Sequence, residues 1–152
     1  MRKQVCRVAM LLAAAAVPYA IVASNITGLS AALAATAEAG KPNLVAQTSS
    51  ARGVTINVTP KNLASTAGSW EFTIVLDTHA EDLSDDLVKS SRLLDGAGGE
   101  NSPVNWDGTP PGGHHREGVL RFEPISPQPQ SIELKIARAG EDLPRSFRWQ
   151  LQ

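Results

Sequence analysis

Cysteine is almost absent from this chain, since Cys6 is the only one among 152 residues. Cys6 comes before the apolar run at positions 8–23, so it is in the wrong place for lipid attachment after a cleavage site. If the N-terminal segment is removed on export, the remaining chain has no disulfide, no thiolate metal site and no cysteine nucleophile. The stability of the exported chain must then come from its core.

An excess of basic residues is also missing. The chain has 14 Lys and Arg against 15 Asp and Glu, and positions 1–34 contain three of the basic residues and none of the acidic ones. Loss of this segment leaves a net charge of about −4. Because binding to phosphates requires a basic patch, we expect no nucleic-acid partner.

Catalytic signatures are the third absence. The sequence has no Gly-x-Ser-x-Gly elbow, no phosphate-binding loop and no dinucleotide fingerprint. The adjacent carboxylates Asp85 and Asp86 are typical of a solvated surface rather than of an acid–base pair. We therefore expect that the protein is not an enzyme.

The N-terminus has the order of a secretory signal. Three basic residues precede the apolar run at 8–23, and Ala32-Leu33-Ala34 supplies the small-x-small cleavage pattern. We predict a signal peptide at 1–34, a periplasmic or extracellular location, and no membrane insertion after cleavage. The alternative is an inner-membrane anchor that is not cleaved. That alternative is disfavoured because the 16-residue run is shorter than the roughly 20 residues that span a bilayer and is interrupted by Pro18.

The rest of the chain divides into a linker and one domain. Positions 35–51 are rich in Ala, Thr and Ser without hydrophobic periodicity, which predicts a flexible linker. From position 52 the apolar residues alternate with polar ones, most clearly at Val54 to Val58 and at Trp70 to Leu76. We predict a β-domain at 52–152 with the 70–77 segment as its central strand.

Seven strands are predicted in this domain, and turn-forming residues separate them. Seven short strands without a helical period indicate an all-β antiparallel sandwich of the immunoglobulin-like or fibronectin-III-like type, with an open barrel as the alternative. The Cys-Trp-Cys marker of antibody domains is absent, so the analogy concerns architecture only. The predicted strands lie near 54–59, 70–77, 87–94, 104–106, 118–123, 132–136 and 147–151.

A proline–glycine turn at 110–113 leads into the paired histidines His114 and His115. The third histidine, His79, follows a predicted strand and shares a strand face with Asp77. Because a sandwich gathers its loops at its two ends, these four residues are candidate ligands for Cu(II) or Zn(II). If the chain is extended here, adjacent side chains point to opposite faces, so only one of His114 and His115 would reach a given site. The alternative is that the histidines are solvated or cap turns, since His-His has no fixed spacing for a metal site.

Trp106 and Arg116 flank the same turn. Trp106 is either an exposed contact for a partner or a core residue, because an indole beside a Pro-Gly loop is compatible with both. Arg116 is expected to form an exposed pair with Glu117 or with a loop acid, which would contribute little to stability.

The domain from about Gly53 to Gln152 resembles a group of small exported bacterial β-sandwich proteins of uncharacterised function. The resemblance supports the domain boundaries and implies no activity. It rests on Val-Thr-Pro at 58–60, Trp-Glu-Phe at 70–72, Leu-Asp-Thr-His at 76–79, Trp-Asp-Gly at 106–108, Pro-Pro-Gly-Gly-His-His-Arg at 110–116 and Phe-Arg-Trp at 147–149.

The sequence leaves two functional hypotheses. The first is an exported, non-catalytic binding or accessory module of the cell envelope that binds copper or zinc through its loop histidines. The second is a purely structural or protein–protein interaction module without metal, which contacts an envelope or extracellular protein through strand edges or Trp106.

Overall fold

The computed structural model describes residues 43–152. The predicted signal peptide and most of the predicted linker lie outside the described residues. Within them, nine strands and one helical turn occur in the order β1 (Gln47–Ala51), β2 (Val54–Asn62), β3 (Trp70–Thr78), α1 (Leu87–Ser90), β4 (Ser91–Asp95), β5 (Glu100–Asn101), β6 (Asn105–Gly108), β7 (His115–Phe122), β8 (Ser131–Ile136) and β9 (Arg145–Gln150).

The strands form two antiparallel sheets. Sheet A has the order β1-β2-β3-β7-β6, and sheet B has the order β5-β4-β8-β9. The predicted all-β antiparallel sandwich is confirmed, and β3 is the central strand of sheet A. Strands β2 and β3 form a hairpin within one sheet, whereas an immunoglobulin domain places its second and third strands in opposite sheets.

The core lies between the two sheets and follows from the alternation of the sequence. Phe72 on β3 packs edge-on against Phe122 of the neighbouring strand, with ring centroids 5.7 Å apart. Its ring also lies 5.5 Å from that of Trp149 on β9, which joins the two sheets. The residues that share this core and are fully or almost fully buried include Val54, Ile56, Val58, Trp70, Ile74, Leu76, Leu93, Leu120, Ile132, Leu134, Ile136 and Phe147.

The predicted strand at 87–94 is a helical turn followed by a strand. Asp86 caps this turn, because its side chain accepts hydrogen bonds from the backbone N–H groups of Val88 and Lys89. The chain becomes extended only at Ser91. No helix within residues 43–152 is long and apolar enough to cross a membrane.

Strand β1 occupies the last five residues of the segment that the sequence analysis assigned to a linker. It pairs along its whole length with β2, from Gln47 opposite Val58 to Ala51 opposite Val54. The two-residue turn has positive φ at both Arg52 (46°) and Gly53 (75°), as tight β-hairpins require. The strand escaped prediction because an edge strand needs no apolar face, and its exposed positions are occupied by Thr48, Ser50 and Ala51.

Candidate functional site

The predicted histidine loops lie at the same end of the sandwich. Strand β3 ends at Thr78 where the antiparallel strand β7 begins at His115, so the loops that follow and precede them are neighbours. We call this region, formed by residues 77–86 and 109–117, the histidine end. The predicted approach of His79 to His114 or His115 stays a prediction, because only the shared end of the loops is observed.

The proline–glycine turn is bonded to the opposite loop by backbone groups. Leu83 donates its N–H to the carbonyl of Gly113 (3.0 Å) and accepts from the N–H of Gly112 (2.9 Å). Asp82 adds a side-chain bond from the N–H of Gly113 at 2.7 Å. The two glycines have φ of 116° and 77°, a region that favours glycine, so the turn depends on them. Its geometry is therefore fixed by residues some thirty positions away.

The buried side chain of Arg116 on β7 holds the loop after β3 in place. Its side chain is 1% exposed, and Nη1 donates to the carbonyls of Leu83 (2.9 Å) and Asp85 (2.7 Å). The guanidinium carbon lies 5.7 Å from the ring centroid of Trp106. Burial lowers the pKa of Arg116, while the nearby carboxylates, that of Asp85 foremost, act in the opposite direction. The expected exposed pairing of Arg116 is wrong, because the residue shares the inward face of β7 with Leu120.

Asp85 connects the histidine end to sheet B. Its carboxylate accepts from Nε of Arg138 at 2.8 Å and from the N–H of Ala139 at 3.0 Å. The side chain of Arg138 is 3% exposed, so this ion pair is largely shielded from solvent. The loop after β3 is thus tied to β7 through Arg116 and to the chain after β8 through Arg138. The expectation of a solvated carboxylate at Asp85 is wrong.

A third buried arginine braces the start of β9. Arg145 donates to the carbonyls of Ala51 and Val54, each at 2.8 Å, and pairs with Glu141. The hydrogen bond from Arg145 also lowers the pKa of Glu141. The burial of these arginines was not predicted from the sequence, although a signal was present for two of them: Arg116 and Arg145 fall on the same alternation as the apolar residues of β7 and β9.

His115 and Asp77 are brought together on the outer face of sheet A. Asp77 Oδ1 lies 2.6 Å from His115 Nδ1, and both side chains are about half exposed. The hydrogen bond to Asp77 is the main cause that raises the pKa of His115; desolvation opposes it, and the charges of Asp77 and Glu117 add to it. The hydrogen bond engages Nδ1 and so orients the imidazole ring, and it does not involve the other ring nitrogen, Nε2.

His114 and His79 are exposed at the same end. His114 Nδ1 lies 3.1 Å from the carbonyl oxygen of Glu81. Because a carbonyl only accepts, Nδ1 carries the proton and Nε2 is the unprotonated nitrogen of the neutral ring. Within residues 43–152, no group of three or more His, Cys, Asp or Glu side chains is placed to hold a metal ion. The structure therefore pairs Asp77 with His115 alone, and a copper or zinc site stays a prediction.

Trp106 lies at the margin of the core. It faces inward from β6 beside Leu120, is half-buried, and donates Nε1–H to the carbonyl of Thr109 at 2.9 Å. Its ring covers the paired glycines Gly108 and Gly118, where an added Cβ would lie 2.7 Å from Cζ2. The indole thus packs inward and holds β6 in place, and the predicted partner contact at Trp106 stays a prediction.

Comparison of this chain with protein-family models, with curated proteins and with solved structures gives no significant match. The motif resemblance to small exported β-sandwich proteins stays a prediction.

Proposed function

We propose that this protein is an exported, non-catalytic binding module of the cell envelope, and that the histidine end is its contact surface for a protein partner. Export is supported by the charged start, apolar run and cleavage pattern of positions 1–34. The location is periplasmic or extracellular.

The choice of this surface rests on one observation. The loop after β3 and the loop before β7 come from distant parts of the chain, and the buried side chains of Arg116 and Arg138 fix them. Binding loops are commonly held by a rigid scaffold, since loops fixed before binding lose less conformational entropy when a partner arrives. His79 and His114 lie on the exposed side of these loops. The buried arginines therefore hold the backbone, and the residues above them are available for recognition.

Site-specific photo-crosslinking in the producing cells tests the surface. A photoreactive amino acid replaces His79 or His114 in one pair of variants, and the exposed Ala97 at the opposite end in the control. Discrete protein adducts from the first pair, without the same adducts from position 97, are expected. Adducts from neither end, or the same adducts from both ends, contradict the proposed surface.

N-terminal sequencing of the protein recovered from these cells tests export independently. Cleavage after Ala34 gives a chain that starts at Ala35 and is released with the periplasmic or culture fraction. An intact N-terminus in the membrane fraction supports the anchored alternative instead.

A metal-binding version of this function has its own supporting observation. His114 and His115 both engage Nδ1 with an oxygen atom, which is the arrangement that orients metal-ligating histidines and leaves Nε2 for the metal. Asp77 would then act as the orienting carboxylate and His79 as a further ligand. Calorimetric titration with Cu(II) and Zn(II) tests this version. Saturable micromolar binding that is lost in His79→Ala and His115→Ala supports it, and unchanged or absent binding removes it.

A further inference from the structure

Strand β9 is an edge strand of sheet B with one side of its backbone turned away from β8. The N–H of Leu151 donates to the carbonyl of Gln130, and the antiparallel register continues this ladder through Trp149 and Phe147. In an antiparallel pair the intervening residues turn their N–H and C=O groups outward. Ser146, Arg148 and Gln150 are those residues on β9.

The middle residue of this free edge is capped by a side chain from the other sheet. The carboxamide of Gln47 donates Nε2–H to the carbonyl of Arg148, and its Oε1 accepts from the N–H of Arg148 at 3.2 Å. A primary amide carries one donor and one acceptor side by side, as a peptide group does. Gln47 therefore supplies one rung of a β-ladder at an edge where no other strand of residues 43–152 pairs with β9.

The position of Gln47 follows from the pairing of β1. Gln47 lies opposite the buried Val58 on β2, so its side chain points inward, toward sheet B. Just before it, the carbonyl of Val45 accepts the indole N–H of Trp149 at 2.8 Å. Residues 45–47 thus run beside β9 and reach it through these contacts.

We propose that Gln47 protects the β9 edge from pairing with the β9 edge of a second copy of this chain. An antiparallel pair centred on Arg148 would place Ser146 of each copy opposite Gln150 of the other. The Arg148 side chain, 73% exposed, is already paired with Glu133 at 2.9 Å, which reduces the repulsion between the two arginines across the axis. At Arg148 the carboxamide of Gln47, held there by the segment that also contacts Trp149, occupies the position that the second copy would take. Unprotected edges are known routes to self-association.

Analytical ultracentrifugation of the protein purified from its native compartment tests the proposal. The native chain is expected to be monomeric, and Gln47→Ala is expected to dimerise at least about tenfold more tightly. Thr48→Ala, a change on the same strand that faces away from sheet B, is the matched control and should behave as the native chain. A folded Gln47→Ala variant that is as monomeric as the control overturns the proposal.

Two further measurements identify the edge itself. Adding Arg148→Pro to Gln47→Ala removes an outward N–H without breaking the bonds to β8, so it should restore the monomer. A dimer that survives this second change uses another surface, which also overturns the proposal. In the native chain, the amide hydrogen of Arg148 should exchange more slowly than those of Ser146 and Gln150. Equal exchange at the three sites shows that Gln47 does not cap the edge.

Discussion

Asp77 and His115 face each other across the β3–β7 ladder, and the carboxylate of one lies 2.6 Å from the imidazole Nδ1 of the other. The two residues are 38 positions apart in the chain. The pair lies at one end of the β3–β7 strand pair of sheet A, next to the loops that we propose as the contact surface. The charge of the pair changes with pH because the imidazole of His115 titrates, and the hydrogen bond to Asp77 raises the pKa of that imidazole.

The first prediction concerns this pH dependence. Since the folded pKa of His115 is above its ordinary value of 6.5, the pair stabilises the fold fully below about pH 6.5, while Asp77 is ionised. The contribution is lost as the pH rises through the folded pKa. His115→Gln should therefore lower the melting temperature more at pH 5.5 than at pH 9. The measurement is thermal unfolding of both proteins across this range.

A titration followed by NMR checks the cause of that effect. The His115 ring should titrate above 6.5 in the native protein and closer to 6.5 in Asp77→Asn, which removes the charge but keeps the shape of the side chain. The same titration midpoint in both proteins would mean that Asp77 is not responsible.

Sequence alternation predicted the sandwich because burial on one face of each strand is a local pattern. The alternate apolar residues of β3, namely Trp70, Phe72, Ile74 and Leu76, all reach the core in this way. Strand β1 has no such pattern, since its pairing with β2 is set by a hairpin turn and by polar contacts. For Asp77 and His115, the sequence indicated only that both lie at the same end of the sandwich. Their direct pairing depends on the register between β3 and β7, and the sequence of neither strand encodes that register.

The buried arginines show a second limit of the sequence analysis. Arg116 was expected to form an exposed pair with Glu117 or a loop acid, whereas it is buried. Its burial is possible because the loop carbonyls of Leu83 and Asp85 converge on it. Those carbonyls belong to an irregular segment whose path cannot be derived from composition.

The second prediction is that Arg116→Met destabilises the domain by about 2 to 4 kcal/mol, because two partly or fully buried carbonyls lose their donor. The contact with Trp106 is lost as well. Urea denaturation measures the change. Lys89→Ala provides the control, since this lysine is 84% exposed and solvent screens its pair with Asp86, so its loss should change stability far less. Equal effects of the two substitutions would contradict a bracing role for Arg116.

Asp85 supplies the third prediction. Asp85→Ala leaves the buried guanidinium of Arg138 without its nearest carboxylate and should cost about 3 kcal/mol. Asp82→Ala, in the same loop but exposed, loses only the bond to the N–H of Gly113 and should cost about 1 kcal/mol. Chemical denaturation distinguishes the two. If Asp82→Ala proves the more damaging, the loop is held by its exposed contacts and not by its link to sheet B.

The fourth prediction concerns the glycine pair beneath Trp106. A Cβ at Gly118 would lie 2.5 Å from the Cα of Gly108 and 2.7 Å from the indole Cζ2 of Trp106, closer than real Cβ atoms approach. Because the clash with Gly108 is with backbone, β6 must shift away from β7. Gly118→Ala should therefore cost about 1 to 3 kcal/mol and loosen the indole. Urea denaturation together with tryptophan fluorescence measures both effects.

The matched control for this change is Gly68→Ala, a glycine with no atom near an added Cβ and without positive φ. That substitution should be neutral or slightly stabilising, because alanine restricts the unfolded chain more than glycine does. Unlike Gly68→Ala, Gly118→Ala should also shift the fluorescence of the native state, since it displaces Trp106. A Gly118→Ala protein with native stability and unchanged fluorescence would mean that β6 is not held by the packing of Trp106 over the glycine pair.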